Sequence, residues 1–491
     1  MEVLSLVRTI KNNFAPVNRI PSDVFSLIPK YLEESEMDEN LITLTHVCHG
    51  WRELLVAHPL LWTRMDCANI DKTRVYIERS KSSPLEISLS FFKRGKATYL
   101  EDAFHLVVPH ISRLKYFSIT GKKNLLENIT PHLSCSIPLL RGLSIDLFGY
   151  PATTLQGTLF SGDLSSLRTL SLTGVITHLP WDNLSELTTL TLSRVPKDKI
   201  SVTQLLDFFV NAHRLRNIKI CHSIPSSSNA SPGRVVSLPC LENLTIDADV
   251  AHSVLLNHLC IPVGASVILE FAFIGSESPL TEFLPSSLGN LKNVPPITSI
   301  DLCLPQDEKH VRLGGPNGRL YMFGYWGDAR DTTSFIFESG VLRSLSYFVL
   351  SETQRLAITD YRPPTDEPVP YDILLRMQGL CTLTLNQCTN LPFILALNPV
   401  ENPSKCTLCP KLEELILYVQ DLKSFNIEEL VSMAKERASA GNKLSSVTII
   451  GLGELVPGDE VFKLKEYVKR VYYRVEEKPP RWDGTLEDGE N

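Results

Sequence analysis

The chain has 491 residues, 43% of them hydrophobic, and a formal net charge of −7 from 48 Lys and Arg against 55 Asp and Glu. That balance leaves no basic excess to hold nucleic acid or an anionic membrane surface, and no apolar run is long enough to span a bilayer. The eleven cysteines, an odd number, read as reduced thiols of a cytoplasmic or nuclear protein and not as a disulfide framework. Met1–Arg8 is too short and too acidic for a signal peptide.

Residues 1–15 precede a stretch, 16–66, whose pattern predicts three short helices. Pro21 suits a first helical turn, where its missing N–H has no intrahelical partner, and Val24, Ile28 and Leu32 then recur every four residues as one stripe. Pro29 removes a bond to the carbonyl of Phe25 and predicts that this helix is short or kinked. Asp38 can cap a second helix running through Leu41, Leu44 and Val47. Gly50 lies at the join to a third, which carries Trp51, Leu54 and Leu55 and ends before Pro59. A unit of this size has too little core to stand alone and needs another surface to pack on.

The order of these residues resembles the F-box: an Ile20-Pro21 start, a Val47-Cys48-x-x-Trp51-Arg52 centre and a Pro59-x-Leu61-Trp62 end. The continuation, Glu78-Arg79-Ser80-Lys81-Ser82-Ser83-Pro84-Leu85, is similar to a large group of fungal F-box proteins. The resemblance implies docking onto a Skp-type adaptor and, through it, a cullin–RING ubiquitin ligase. With the apolar stripes, it implies contact residues among Ile20, Pro21, Val24, Ile28, Leu41, Leu44 and Val47, while Trp51 orders the helices internally. A connecting helix is expected over 67–83.

The segment 84–452 is built on a repeated hexad, apolar-x-x-apolar-x-apolar. Copies start at Leu114, Leu140, Leu167, Leu187, Leu215 and Leu241, then at Ile297, Leu342, Leu380, Leu412 and Leu444, with an earlier one at Pro84–Leu89. The 56-residue gap from Leu241 to Ile297 holds a degenerate strand at Val267–Phe271. This hexad at steps of 20–28 residues in the first half is similar to leucine-rich repeats. In a strand the fourth and sixth hexad positions face one side and fill a core shared between neighbours. The predicted fold class is therefore α/β: the three-helix unit, then an irregular leucine-rich-repeat-like solenoid with a parallel sheet on its concave side. The consensus Asn or Cys nine residues into each repeat is supplied only by Cys388. A mixed α/β repeat of merely superficial similarity is the alternative.

Two breaks interrupt the array, a Ser- and Pro-rich loop at Ser223–Gly233 and an extended stretch at Tyr361–Pro370. Val461, Leu464, Val468, Val471 and Val475 recur at helical spacing and predict a helix in 453–475 that covers the last repeat. The tail, 476–491, carries six acids and two bases and is expected to be disordered.

Motifs that carry chemistry are scarce. The chain has no Gly-rich phosphate loop with its lysine, no His-Glu-x-x-His and no Gly-x-Ser-x-Gly, which argues against an enzyme and against any cofactor. Cys406 and Cys409, with Cys381 and Cys388 upstream, lack a second closely spaced pair for zinc. Asp247 and Asp301 sit by repeat strands, but spacing places no His or Lys beside them. Glu413 and Glu414 are adjacent on a strand and point opposite ways.

The second hexad position reads Lys115, Arg141, Arg168, Thr188, Arg216, Glu242, then Arg343, Cys381, Glu413 and Ser445. In register these form a column, basic in its first half. It is either a solvated face or, through Lys115, Arg141, Arg168 and Arg216, a site for acidic or phosphorylated segments of a target. The expected function is a non-catalytic substrate-recruiting adaptor of a Skp/cullin/F-box ubiquitin ligase. The competing reading is an interaction protein that binds the Skp-type adaptor without promoting ubiquitination.

Overall fold

A computed structural model describes residues 7, 11, 14–16, 20, 24, 37–90, 97–148, 152–158, 160, 164–178, 183–195, 200–223, 230–231, 233–247, 252–271, 284–294, 296–304, 308–315, 318–325, 342, 345–361, 369–388, 390–401, 407–419, 425–452 and 459–476. Pro21, Ile28, Pro29, Arg343, Cys406, most of the two expected loops and the tail beyond residue 476 lie outside the described residues. The protein is a mixed α/β chain of two compact units, Met1–Lys199 with Asn211–Leu215, and Ile200–Val210 with Arg216–Asn491.

In the first unit, helices α1 (Met37–Thr45) and α2 (His49–Ala57) pack on each other. Asp38 lies inside α1 and not at its cap, and Val47 falls in the turn after it, its N–H bonded to the carbonyl of Leu44. Gly50 and Trp51 open α2, which stops at Ala57 before Pro59. The tight turn Pro59–Trp62 delivers Trp62 into the core at 1% exposure, and its indole N–H donates to the Leu55 carbonyl at 2.9 Å. The interior aromatic of this unit is therefore Trp62, while Trp51 is only half-buried. Helix α3 (Ile70–Ser80) packs on that turn and is capped by Asn69, whose side chain accepts from the Lys72 N–H.

Strands β1 (Arg64–Met65), β2 (Leu85–Ser90), β3 (Leu114–Gly121), β4 (Gly142–Leu147), β5 (Thr169–Thr173) and β6 (Thr189–Ser193) follow, each parallel to the one before. The hexad explains them. Leu167, Leu170, Leu172, Leu187, Leu190 and Leu192 are all buried, whereas Arg168 and Thr169 are exposed. Helices α4 (Ala97–Val107) and α5 (Lys123–Ile129) run between strands and pack on each other.

The second unit begins with helix α6 (Val202–Asn211), whose start is tied by a reciprocal pair: Ser201 N–H to Gln204 Oε1 at 2.9 Å and Gln204 N–H to Ser201 Oγ at 3.1 Å. Strands β7 (Asn217–Cys221), β8 (Asn243–Asp247) and β9 (Ser266–Phe271) run parallel. Then the order changes. β10 (Ser299–Cys303), β11 (Glu308–Gly314) and β12 (Arg319–Tyr325) form an antiparallel meander, and β12, not β10, lies beside β9. The all-parallel expectation fails here. Val311, Leu313, Leu320 and Met322 alternate as strand residues on either side of the sequence Gly-Gly-Pro-Asn-Gly, a hairpin signal that the hexad does not contain.

Beyond β10 the parallel array resumes with β13 (Arg355–Thr359), β14 (Thr382–Asn386), β15 (Glu414–Val419), β16 (Ser446–Leu452) and β17 (Arg470–Glu476). The copy expected from Leu342 forms no strand, and Leu345–Tyr347 is a single helical turn. The strand comes eleven residues later because Thr353 takes the first hexad position. That threonine is 0% exposed and donates its hydroxyl to the Ile297 carbonyl at 3.3 Å, so a polar side chain does a leucine's packing and satisfies a neighbouring backbone.

Helices α7 (Val369–Arg376), α8 (Leu391–Leu397), α9 (Ile427–Ser439) and α10 (Asp459–Tyr467), each between successive strands, pack on one another in chain order. The expected terminal helix is half right. Val461, Leu464 and Val468 are buried under helical spacing, but Val471 and Val475 belong to β17. The Cys388 thiol approaches the carbonyls of Ile358 (3.3 Å) and Asn386 (3.1 Å), joining adjacent strands.

Candidate functional site

Three surfaces gather the side chains that could act on a partner. The first is the helical unit. Ile20 is half-buried, Leu41 is buried, Leu44 is half-buried, and Val24 and Val47 are exposed. Among the described residues of this unit, the large apolar side chains standing in solvent are Val24, Ile42, Val47 (55%) and Leu60 (66%). Ile42 and Leu60 escape the sequence reading because the helical stripe favours the i, i+3 positions that fill the core. Arg52 donates to the Thr45 carbonyl at 3.0 Å and ties α2 to α1.

The second is the column of second hexad positions, which exists as a hydrogen-bonded ladder. In the first unit the N–H of Arg141 donates to the Lys115 carbonyl (2.7 Å), Arg168 to Arg141 (2.7 Å) and Thr188 to Arg168 (2.8 Å). In the second, Glu242 donates to Arg216, and the run Thr298, Gln354, Cys381, Glu413 and Ser445 continues the same bonding, with Gln354 in the place expected for Arg343. Charge is distributed less simply than expected. Lys115 meets Glu86 at 3.1 Å and Arg216 meets Glu242 at 2.9 Å, so both are partly neutralised. Arg141 and Arg168 are exposed.

The third is the outward face of β1–β6. Register aligns Ser88, Ser118, Ser144, Ser171 and Thr191 into one row of hydroxyls across five strands. A parallel row holds Ser90, Thr120, Asp146, Thr173 and Ser193. At one corner Glu86 lies between Arg64 (3.2 Å) and Lys115 (3.1 Å). Tyr116 lies flat across Gly142, where a Cβ would come within 2.4 Å of its ring. Of these residues, Arg64, Glu86, Ser88, Tyr116, Ser118, Gly142 and Ser144 line a shallow groove of about 350 Å³. Hydroxyls donate and accept equally well, so this surface suits neutral polar groups of a polypeptide and offers no acid–base pair.

Titratable groups collect instead on β7–β9, where Asp247 stands abreast of Cys221 and Glu270. His222 follows in a left-handed conformation (φ 49°), and its Nε2 reaches Asp247 Oδ2 at 3.2 Å. Asp247 thus has a histidine beside it, contrary to expectation, because the partner comes from the neighbouring repeat. Asp301 likewise has Arg355 at 3.8 Å. Burial and then the Asp247 charge push the Glu270 carboxyl above its ordinary range, and burial pushes the Cys221 thiol up to about 11.

Of the cysteines considered for zinc, Cys406 lies outside the described residues. Cys409 is fully buried, its thiol pushed up to about 12 by desolvation, which opposes the thiolate a metal needs. Among the described residues no group of three His, Cys, Asp or Glu side chains is placed to hold a metal ion, and no helix is long and apolar enough to cross a membrane. Comparison with protein-family models and with curated proteins found no match for this chain.

Proposed function

We propose that the chain is a non-catalytic adaptor: its N-terminal helical unit is F-box-like and docks on a Skp-type protein of a cullin–RING ubiquitin ligase, and its leucine-rich-repeat-like array holds a target protein. The observation that carries the first half is the set Val24, Ile42, Val47 and Leu60, apolar and in solvent on a unit whose own core is already closed by Leu55 and Trp62. Several apolar side chains exposed on so small a unit suit docking on a partner. The target half is supported by the hydroxyl rows and groove of β1–β6, with Arg141 and Arg168 exposed in the ladder at the strand starts. Those two arginines suit acidic or phosphorylated segments, since a guanidinium fork meets two oxygens at once. Catalysis is then supplied by the ligase, and this chain acts by raising local concentration.

The test is capture of the Skp-type adaptor and cullin by the full chain and by an Ile42→Ser, Val47→Ser, Leu60→Ser variant. These exposed positions leave the core intact, so the variant should fold, lose adaptor capture and keep its targets. Equal recovery of adaptor with both chains would overturn the adaptor reading. Adaptor capture without cullin would favour an interaction protein that does not promote ubiquitination. An Arg141→Glu, Arg168→Glu variant should keep the adaptor and lose acidic targets.

A further inference from the structure

The groove on β1–β5 has a period as well as a composition. Ser88, Ser118 and Ser144 stand abreast in it on β2, β3 and β4, each one strand spacing of about 4.8 Å from the next. The strand ladders use the backbone groups beneath them, so hydroxyls are the donors this floor offers a ligand. Beside the row, Tyr116 rests across Gly142, which has no Cβ to obstruct it, and keeps 41% of its surface in solvent. The Lys115 ammonium, 4.9 Å from the ring centroid, helps to hold the ring in place.

We propose that this groove takes a proline-rich segment of the target protein in the polyproline II conformation, lying across the strands with a proline on Tyr116. The inference rests on the reading that the array holds a target. Polyproline II has three residues per turn and rises ~3.1 Å per residue, so one turn measures ~9.3 Å. Two strand spacings measure about 9.6 Å. A segment crossing the strands therefore sets every third residue over every second strand and stays in phase from β2 to β5. An α-helix, with a pitch of ~5.4 Å, slips by about 0.6 Å at each strand. The side chains of an extended strand recur every ~6.8 Å on one face, which matches neither one spacing nor two. Polyproline II makes no internal hydrogen bonds, so its carbonyls are the acceptors that a row of serine hydroxyls answers. Proline-rich segments dock on aromatic rings and arrive with their backbone already ordered, which lowers the entropy lost on binding.

Charge sets what flanks the prolines. At the β1 end the charges are answered within the protein: Arg64 and Lys115 both meet Glu86, and Lys72 meets Asp66 at 3.8 Å. Between the ends the lining is neutral, made of Ser88, Tyr116, Ser118, Gly142 and Ser144. At the far end Arg141 and Arg168 stand exposed, each one residue before a lining position, Gly142 and Thr169. The complementary ligand is a neutral proline run with acidic residues at one end, and those acids lie over β4 and β5.

The experiment is fluorescence anisotropy of labelled peptides with the full chain. Two probes each carry six prolines and two glutamates, the glutamates first in one and last in the other, so that either chain direction is offered. One of them should bind at submillimolar concentration. Replacing its prolines by alternating glycine and serine should weaken binding about tenfold or more, and so should replacing its glutamates by lysines. Tyr116→Ala should weaken the proline probe about tenfold, while Tyr116→Phe keeps the ring and the affinity. Gly142→Ala, whose new Cβ displaces the ring, should weaken it too. A glycine–serine probe that binds as tightly as the proline probe would overturn the inference and leave the acidic-target reading standing. Affinity indifferent to Tyr116→Ala, in a variant whose circular dichroism matches wild type, would overturn it as well. So would failure of both proline probes to bind. Capture of the Skp-type adaptor is scored separately, so the two readings fail independently.

Discussion

The indole of Trp62 stands edge-on to the ring of Tyr76, with centroids 5.0 Å apart and planes at 83°. Arg79 covers the indole at 4.3 Å, and the indole N–H holds the Leu55 carbonyl. One side chain thus fastens α2 to α3. Trp62→Ala should destabilise the first unit by about 3–5 kcal/mol. Trp62→Phe keeps an aromatic edge but abandons the carbonyl, and should cost about 1–3 kcal/mol. Urea unfolding followed by far-ultraviolet circular dichroism separates the two.

Leu190 and Thr191 are neighbours on β6 with opposite fates, the first at 0% exposure and the second half-exposed. Leu190→Ala should cost about 2–5 kcal/mol, and Thr191→Ala less than about 0.5 kcal/mol. A comparable loss from both in denaturant titrations would contradict the inward and outward assignment of the hexad.

Glu270 gives a dependence on pH. Burial and the Asp247 charge raise its carboxyl in the folded state above the unfolded value. The native state therefore holds the proton more tightly, and stability falls as pH rises from the unfolded pKa, about 4.3, through the folded one. Glu270→Gln should stabilise the protein at neutral pH, and the gain should vanish at low pH, where the wild-type carboxyl is already neutral. Thermal melts at several pH values read this directly. Lys219 and His222 favour the charged form, so Lys219→Ala should steepen the wild-type dependence.

Arg437 is 0% exposed, and its guanidinium donates to the carbonyls of Leu408 (2.7 Å) and Cys409 (2.9 Å), while its Nε finds no partner. Desolvation lowers its pKa, and the Cys409 thiol acts in the opposite sense. Arg437→Ala leaves a cavity and two orphaned carbonyls, each worth about 1–3 kcal/mol, and should be among the most destabilising changes in α9. Arg437→Met fills the space without a buried charge and should lose less. Equal midpoints for the two variants in denaturant would show that the carbonyl bonds, and not the filled volume, set the loss.

Most strands were legible because leucine at the first, fourth and sixth hexad positions leaves a mark that needs no knowledge of neighbours. The strand at Arg355–Thr359 was not, since Thr353 replaces the marker leucine and is satisfied by the Ile297 carbonyl of another repeat. Val471 and Val475 misled for a different reason: with Tyr473 between them they fit a strand as well as they extend the helical spacing of Val461, Leu464 and Val468. Lys115 and Arg216 were readable as positions but not as partners, because Glu86 and Glu242 are fixed beside them only by strand register. His222 beside Asp247 was hidden in the same way. On the helical unit, periodicity located the core-filling Leu41 and left Ile42 and Leu60, its solvent side, unmarked.

The meander of β10, β11 and β12 imposes an order on synthesis. β9 leaves the ribosome before any strand that can sit beside it on that side, because β10, the next to emerge, belongs three places away, beyond β12 and β11. Until Tyr325 has emerged, the backbone of β9 faces water or whatever else is near. A nascent chain paused in this interval presents a bare strand to its neighbours on the polysome, and the segment after Phe271 is where holding by a chaperone would matter most.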